Sequence, residues 1–220
     1  MLMLATAAIA SADGVSLTLN NGGTDIMGNV YVGAYNFSSS TGSLQLICDD
    51  YVHEVYGGES WTASTSTLPS LGSVSSFSTG QFSGSTLVQY EEVAWLAQGI
   101  FALGPVTSSN ATKIGDMQYA LWDIFTCGAT GLLSSSCASS GLDATDKGQA
   151  AYWLGQAQNN YQNGNYSDVV IYTPSSGWPS ADGRPQEYIG IVATPEPSSL
   201  VLLVSGMVAL MLLVIRRGKA

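Results

Sequence analysis

Charged residues are scarce in this sequence, and basic ones are the scarcest. Only 6 Lys and Arg stand against 16 Asp and Glu in 220 residues, so the formal net charge is −10. Three of the basic residues, Arg216, Arg217 and Lys219, lie close to the end of the chain, which leaves the remainder more acidic still. Such a surface repels the phosphates of nucleic acids, so nucleic-acid binding is excluded.

Residues that usually carry catalysis or hold metals are also few. The chain has one histidine, His53, and no carboxylate pair, metal-ligand cluster or triad stands out by its spacing. Asp49 and Asp50 are too few to specify a cation site, although they could raise the pKa of Cys48. On a continuous strand His53 would face away from Cys48, because their offset is odd, and we expect it at the surface. The sequence therefore predicts no enzyme activity, no metal and no cofactor.

The beginning of the chain is typical of a secretion signal. Residues 1 to 12, MLMLATAAIASA, are apolar and end in Ala-Ser-Ala, the small-x-small pattern that signal peptidase accepts. Asp13 is then the first residue of the exported protein. No Lys or Arg precedes the apolar segment, so we expect the start codon to lie upstream of Met1. A buried N-terminal helix is the alternative, which the Ala-Ser-Ala-Asp junction disfavours.

The end of the chain combines three features in a fixed order. A Pro-Glu-Pro triplet at 195 to 197 precedes an apolar run at 200 to 215, and Arg216 and Arg217 follow directly. With its serine flank the run approaches the about 20 apolar residues that cross a bilayer. We therefore expect a transmembrane helix at about 199 to 215. The basic pair should stay cytoplasmic, which places the preceding chain outside the membrane.

This order of features resembles the PEP-CTERM sorting signal of exopolysaccharide-producing Gram-negative bacteria, and the resemblance covers residues 194 to 220. It implies recognition by an exosortase, with cleavage near Pro195, Glu196 and Pro197. The protein would be anchored only transiently in the inner membrane and would then reach the cell surface or the extracellular biofilm matrix. The alternative is an ordinary single-span anchor that is never cut.

Export bears on the three cysteines, because disulfides form in pairs in oxidising compartments. Cys127 and Cys137 bracket a Gly- and Ser-rich stretch that is flexible enough to close a loop. We therefore expect these two residues to form a disulfide. Cys48 is then left without a disulfide partner.

The part between the two signals, residues 13 to 193, is predicted to be one extracellular α+β domain. Apolar residues at helical spacing predict three amphipathic helices between residues 90 and 161. Residues 59 to 87 are rich in Ser, Thr and Gly, which predicts long loops with short strands. The expected fold is an antiparallel β-sheet or sandwich with the helices inserted between its early and late strands. Alternating or apolar segments predict these strands at 15 to 19, 29 to 37, 43 to 48, 169 to 172 and 187 to 192.

Gln118 is the polar residue that stands out in the second predicted helix. Its helical neighbours include Leu121, Trp122 and Phe125, so its amide should point into the apolar stripe. An amide buried without partners costs about 1 to 3 kcal/mol, so something should satisfy it or consume it. If Cys48 met Gln118, its thiolate could attack the side-chain carbonyl, release ammonia and leave an internal thioester.

The same residues carry a second resemblance. A cysteine that ends an early strand, followed later by a helix with the pattern apolar-Gln-x-x-apolar-Trp, is similar to the thioester (TQXA) domains of bacterial surface adhesins. The resemblance implies that Cys48 is the thiol, Gln118 the acyl donor and Trp122 the side chain that packs beside the bond. It further implies covalent adhesion to an amine or hydroxyl on a neighbouring cell or surface polymer.

A different interpretation of these residues remains open. Cys48 could be a buried small hydrophobe and Gln118 a capped core amide, in a protein without a thioester. The chain would then be a passive structural or carbohydrate-binding component of an exopolysaccharide matrix. The candidates for stacking on its sugars are Trp61, Trp95, Trp153 and Trp178.

The sorting signal predicts a shortened mature protein. In a host that has an exosortase, the exported form should lose the residues after the Pro-Glu-Pro triplet, because the apolar run serves only as a temporary anchor. Mass spectrometry of the exported fraction should recover peptides up to this triplet and none from 200 to 215. The same chain in a host without the enzyme is the control and should keep those peptides. Their presence in the exported fraction of the first host would contradict the processing.

Overall fold

The computed structural model describes five stretches of the chain, at residues 14–23, 25–68, 87–126, 141–177 and 183–192. The expected signal peptide, the Cys127 and Cys137 pair, Trp178 and the whole sorting signal lie outside them. Among the helices that fall within these stretches, none combines the length and apolarity that a bilayer crossing requires.

The described residues form eight strands and three α-helices. The strands are β1 Val15–Asn21, β2 Asp25–Met27, β3 Val30–Val32, β4 Ala34–Ser39, β5 Gly42–Cys48, β6 Ser60–Thr67, β7 Val169–Ser176 and β8 Tyr188–Ile191. The helices are α1 Leu87–Ala102, α2 Ala111–Thr126 and α3 Ala144–Asn160, and a 3-10 turn at Tyr161–Asn163 continues the last one. This order confirms the α+β prediction, with helices inserted between the early and late strands.

Six of the strands close into an antiparallel barrel in the order β1-β4-β5-β8-β7-β6, while β2 and β3 form a separate hairpin. The predicted antiparallel sheet is therefore present, but it closes into a barrel, and the alternative of a sandwich is wrong. Closure requires β7 and β8, which follow the helices in the chain, to pair with β6 and β5. Hydrophobic patterns report which face of a strand is buried, and they do not report which distant strand lies beside it.

The first part of the Ser- and Thr-rich stretch, for which the sequence predicted long loops with short strands, forms the eight-residue strand β6 Ser60–Thr67. Its side chains at Trp61 and Ala63 are buried, and hydroxyl side chains alternate with them on the other face. Threonine fits a pleated, half-buried surface well. Since β1 and β7 flank β6 on its two sides, Ser60–Thr67 is a strand of the barrel, while residues 69 to 86 lie outside the described stretches.

The interior of the barrel is filled by aromatic rings. The Tyr188 ring centroid lies 4.8 Å from that of Phe37, 5.6 Å from that of Tyr35 and 6.2 Å from that of Trp61. All four side chains are buried, and ring pairs at these separations are favourable beyond the area that they bury. Trp61 is therefore a core residue, and it has no exposed face to offer to a sugar.

Helix α2 approaches the β2–β3 hairpin at a glycine. A Cβ at Gly115 would lie 2.6 Å from the Met27 Sδ atom, so a larger residue at this position would require the Met27 side chain to shift. The Tyr119 hydroxyl donates a hydrogen bond to the Met27 carbonyl at 3.1 Å in the same region. These contacts fix α2 beside the hairpin, and the same helix carries Gln118.

Candidate functional site

Cys48 is the last residue of β5, and its side chain is completely buried. It is a free thiol. β8 places Tyr188 opposite Cys48 in the barrel. The Cys48 Sγ atom donates to the backbone carbonyl of Asp50 at 3.1 Å, where the chain turns after the strand. Strand pairing and this turn together hold the sulfur in one place.

Gln118 is completely buried on α2, and its side chain reaches Cys48. Its Nε2 atom donates to the Cys48 backbone carbonyl at 2.6 Å. Its Oε1 atom is buried and accepts no hydrogen bond from any described residue. The structure thus brings together the two residues that the sequence suggested as a thioester pair, although 70 positions separate them.

Trp122 lies one turn beyond Gln118 on the same face of α2, and its ring is buried. The ring packs against Tyr51 and Tyr119, with both centroid separations at 5.2 Å. The indole N–H makes no hydrogen bond of ordinary geometry with the described residues, although its interaction with the Cys48 sulfur acts to lower the thiol pKa. A buried donor without a full partner therefore lies beside the sulfur.

The Cys48 thiol is neutral at ordinary pH. Burial raises its pKa well above the usual value, and the nearby carboxyl groups of Asp50 and Asp49 raise it further. The hydrogen bond to the Asp50 carbonyl and the Trp122 indole act in the opposite direction without compensating. Since the thiolate is the reactive form of cysteine, free reagents in solution should modify this residue slowly.

Two buried acids, Asp49 and Glu187, face each other directly beyond the paired ends of β5 and β8, and no pattern in the sequence indicates this pairing. The Asp49 backbone N–H donates to the Glu187 carbonyl at 3.3 Å, and both side chains are completely buried. Glu187 accepts hydrogen bonds from the Tyr90 hydroxyl at 2.7 Å and the Thr173 hydroxyl at 2.5 Å. Burial raises the pKa of Glu187 to about 7, and burial together with Glu187 raises the pKa of Asp49 well above its usual value.

The loop after Cys48 places His53 differently from the sequence expectation. β5 ends at Cys48, so His53 lies on a turn and not on a continued strand. Its Nδ1 atom is 2.8 Å from Asp50 Oδ2, and this hydrogen bond raises the His53 pKa. Asp50 Oδ1 also accepts from the backbone N–H groups of Val52 and His53. The carboxylate therefore organises the loop, and His53 remains partly exposed.

Gln186 joins this loop to β8. Its Nε2 atom donates at 2.8 Å to the Asp50 carbonyl, the same atom that accepts from the Cys48 thiol, and its Oε1 atom accepts from the Tyr188 hydroxyl at 2.9 Å. Nothing in the local sequence marks Gln186 as a partner of Cys48, because strand pairing brings it there.

Two of the other tryptophans proposed for sugar stacking line a cleft among the three helices. Trp95 and Trp153 are partly buried there, and the Lys113 ammonium lies 4.9 Å from the Trp153 ring centroid.

Within the described stretches, no group of three or more His, Cys, Asp and Glu residues is arranged to hold a metal.

Comparisons with known proteins give no relative for this chain: no family model, no curated protein and no solved structure matches it.

Glu187 predicts that stability depends on pH. Its pKa rises from 4.5 to about 7 on folding, so the folded state binds this proton more tightly than the unfolded state does. The stabilisation is fully present below the unfolded pKa and is lost as pH rises through the folded value. Between about pH 5 and pH 8 this group should lower the free energy of unfolding by up to roughly 3 kcal/mol.

Urea unfolding across that pH range measures the effect. Glu187→Gln should reduce the decline, because the amide does not titrate, and the raised pKa of Asp49 accounts for the decline that remains. Glu54→Gln, at an exposed acid, is the matched control for the loss of one acidic side chain. An unchanged slope in Glu187→Gln would show that another group causes the pH dependence.

Proposed function

We propose that this chain is an exported surface or matrix protein in which Cys48 and Gln118 form an internal thioester. The observation that carries the proposal is the 2.6 Å hydrogen bond between Gln118 Nε2 and the Cys48 carbonyl inside a fully buried site. This bond holds the glutamine amide against the backbone of a free cysteine, and no described residue donates a hydrogen bond to the amide oxygen, which supports the proposal that the sulfur reaches the amide carbon.

The reaction needs no reagent beyond the two side chains. The Cys48 Sγ atom attacks the Gln118 Cδ atom, the new Sγ–Cδ bond replaces the Cδ–Nε2 bond, and the thiol proton leaves with the nitrogen as ammonia. Negative charge develops on Gln118 Oε1 during the attack. We infer that the buried indole N–H of Trp122, which lies one helical turn beyond Gln118 and interacts with the Cys48 sulfur, stabilises this charge.

Burial would also preserve the bond once it forms. Water is kept out by the apolar shell around Cys48. The raised pKa of the Cys48 thiol makes its thiolate a poor leaving group, which slows cleavage by weak nucleophiles. An amine or hydroxyl brought to the site would take the acyl group from Cys48 once, in a stoichiometric attachment and not in a catalytic cycle.

The two ends of the sequence support an extracellular setting for this chemistry. The signal-peptide pattern at 1 to 12 and the PEP-CTERM pattern at 194 to 220 favour export, transient anchoring by a transmembrane helix and release by an exosortase. A thioester is useful to a protein that must stay attached outside the cell. We infer that attachment, either to a neighbouring surface or to an extracellular polymer, is its role.

The second candidate is a passive structural or carbohydrate-binding matrix protein. Complete burial and the raised pKa of Cys48 are equally the properties of an inert core cysteine. In that case the Gln118 amide would serve to tie α2 to the end of β5.

Intact mass distinguishes the two candidates. The purified exported protein should weigh less than its sequence by one ammonia, because thioester formation expels the Gln118 nitrogen. Methylamine should then add across the acyl group and convert the lighter species into a methylamide. Cys48→Ala is the matched control and should show its full sequence mass with no amine uptake. A parent protein at full sequence mass would favour the passive candidate.

Trp122→Phe tests the role of the indole N–H. Phenylalanine keeps one aromatic ring in the packing and removes the N–H donor together with part of the indole, so methylamine uptake should slow by roughly tenfold or more in protein that thermal unfolding shows to be folded. Trp153→Phe, at a partly buried ring on α3, is the control and should leave the rate unchanged. Equal rates in the parent and in Trp122→Phe would assign Trp122 to packing alone.

A further inference from the structure

A groove of about 560 Å³ lies beside the β2–β3 hairpin, apart from the buried Cys48 and Gln118 side chains. Its walls come from the end of β1, the hairpin and the loop at 54 to 57 that precedes β6. This volume is in the range of sites that hold small ligands or a few units of a polymer. None of the chemistry proposed for Cys48 uses it.

Two exposed tyrosines line the groove from different segments. Tyr31 of β3 is 54% exposed and Tyr56 of the loop is 63% exposed. The Tyr56 hydroxyl donates to Glu54 Oε2 at 2.7 Å, and its backbone N–H donates to Glu59 Oε2 at 2.8 Å, so both the ring and its backbone are held. Large aromatic side chains that are solvent-exposed beside a cavity are typical of binding surfaces.

The polar groups of the groove are mostly amides. Asn20 and Asn29 are exposed, and Gln186 is fixed by its hydrogen bonds to Tyr188 and to the Asp50 carbonyl. The Asn20 amide bonds to Ser38 Oγ at 2.8 Å. An amide has two N–H donors and an acceptor with two lone pairs, so these groups keep hydrogen-bonding capacity for a ligand whose hydroxyls both donate and accept.

The charge of the groove excludes anionic ligands. Among the described residues that line it, Glu54 is the only charged one, and the whole chain carries a formal charge of −10. Neither Lys nor Arg appears among those lining residues to pair with a uronate, sulfate or phosphate. The ligand that fits is uncharged, rich in hydroxyls and able to present flat apolar faces to aromatic rings.

We propose that this groove binds a neutral polysaccharide, with sugar rings stacked on Tyr31 and Tyr56 and hydroxyls bonded to the amides. The binding is non-covalent and requires neither Cys48 nor Gln118 to react, so it goes beyond the proposed thioester. The wall residue Gln186 shares the Asp50 carbonyl with the Cys48 thiol. Two hydrogen bonds that meet at the Asp50 carbonyl therefore connect the wall of the groove to the Cys48 sulfur. A bound sugar could supply the hydroxyl that accepts the acyl group from Cys48, and only this additional role rests on the proposed function.

The test uses the exported protein carrying Cys48→Ala, so that covalent capture cannot contribute. Affinity electrophoresis is run through gels that contain dextran, galactomannan or soluble β-glucan, with alginate as the anionic polymer. We expect at least one neutral polymer to retard the protein, and alginate to have no effect. Adding Tyr56→Ala or Tyr31→Ala should reduce the retardation, so that the dissociation constant for the polymer rises by about tenfold.

Tyr152→Ala supplies the matched control, because Tyr152 is 53% exposed on α3 and does not line the groove. Thermal unfolding confirms that each variant is folded before its mobility is compared. The proposal is overturned if no neutral polymer retards the protein, if alginate retards it as strongly, or if both groove variants migrate like Tyr152→Ala. None of these outcomes depends on the intact-mass result, so the groove and the thioester stand or fall separately.

Discussion

The pairing of β5 with β8 is the contact on which both the barrel and the candidate site depend. It joins Ile47 to Ile189 and Cys48 to Tyr188, and so connects a strand near the start of the domain to one near its end. The same pairing places Tyr188 among the aromatic rings of the barrel and sets Glu187 opposite Asp49. Without it the barrel would be open, and Cys48 would lie at an exposed sheet edge.

Burial at the end of this pair of strands determines the electrostatics of the site. The thiol of Cys48 and the carboxyl groups of Asp49 and Glu187 all have raised pKa values, and in each case the loss of water is the largest cause. A site without hydration favours neutral side chains and a hydrogen-bonded amide over ions. Such a site suits an acyl bond that must survive in water, because the species that would cleave it are excluded.

The short loop after Cys48 links the buried pair to the surface. The Asp50 carbonyl accepts from the Cys48 thiol on one side and from Gln186 on the other, while the Asp50 carboxylate holds the turn toward His53. Farther along the chain the loop carries Tyr56 into the groove. One turn therefore holds the buried Cys48 thiol inside the domain and one wall of the groove outside it.

The local sequence pattern was sufficient to place the helices and most of the strands. It also selected Gln118, because an amide among apolar side chains costs free energy unless it finds hydrogen-bond partners. It also selected Cys48, whose strand ends there. The closure of the barrel, the strand formed by Ser60–Thr67 and the pairing of Asp49 with Glu187 depend on contacts between residues far apart in the chain. Such contacts leave no periodic trace in either partner. The tertiary structure alone decided that the Gln118 amide meets the Cys48 carbonyl and that Tyr31 and Tyr56 line one groove, because packing of the helices and the hairpin against the barrel fixes those distances.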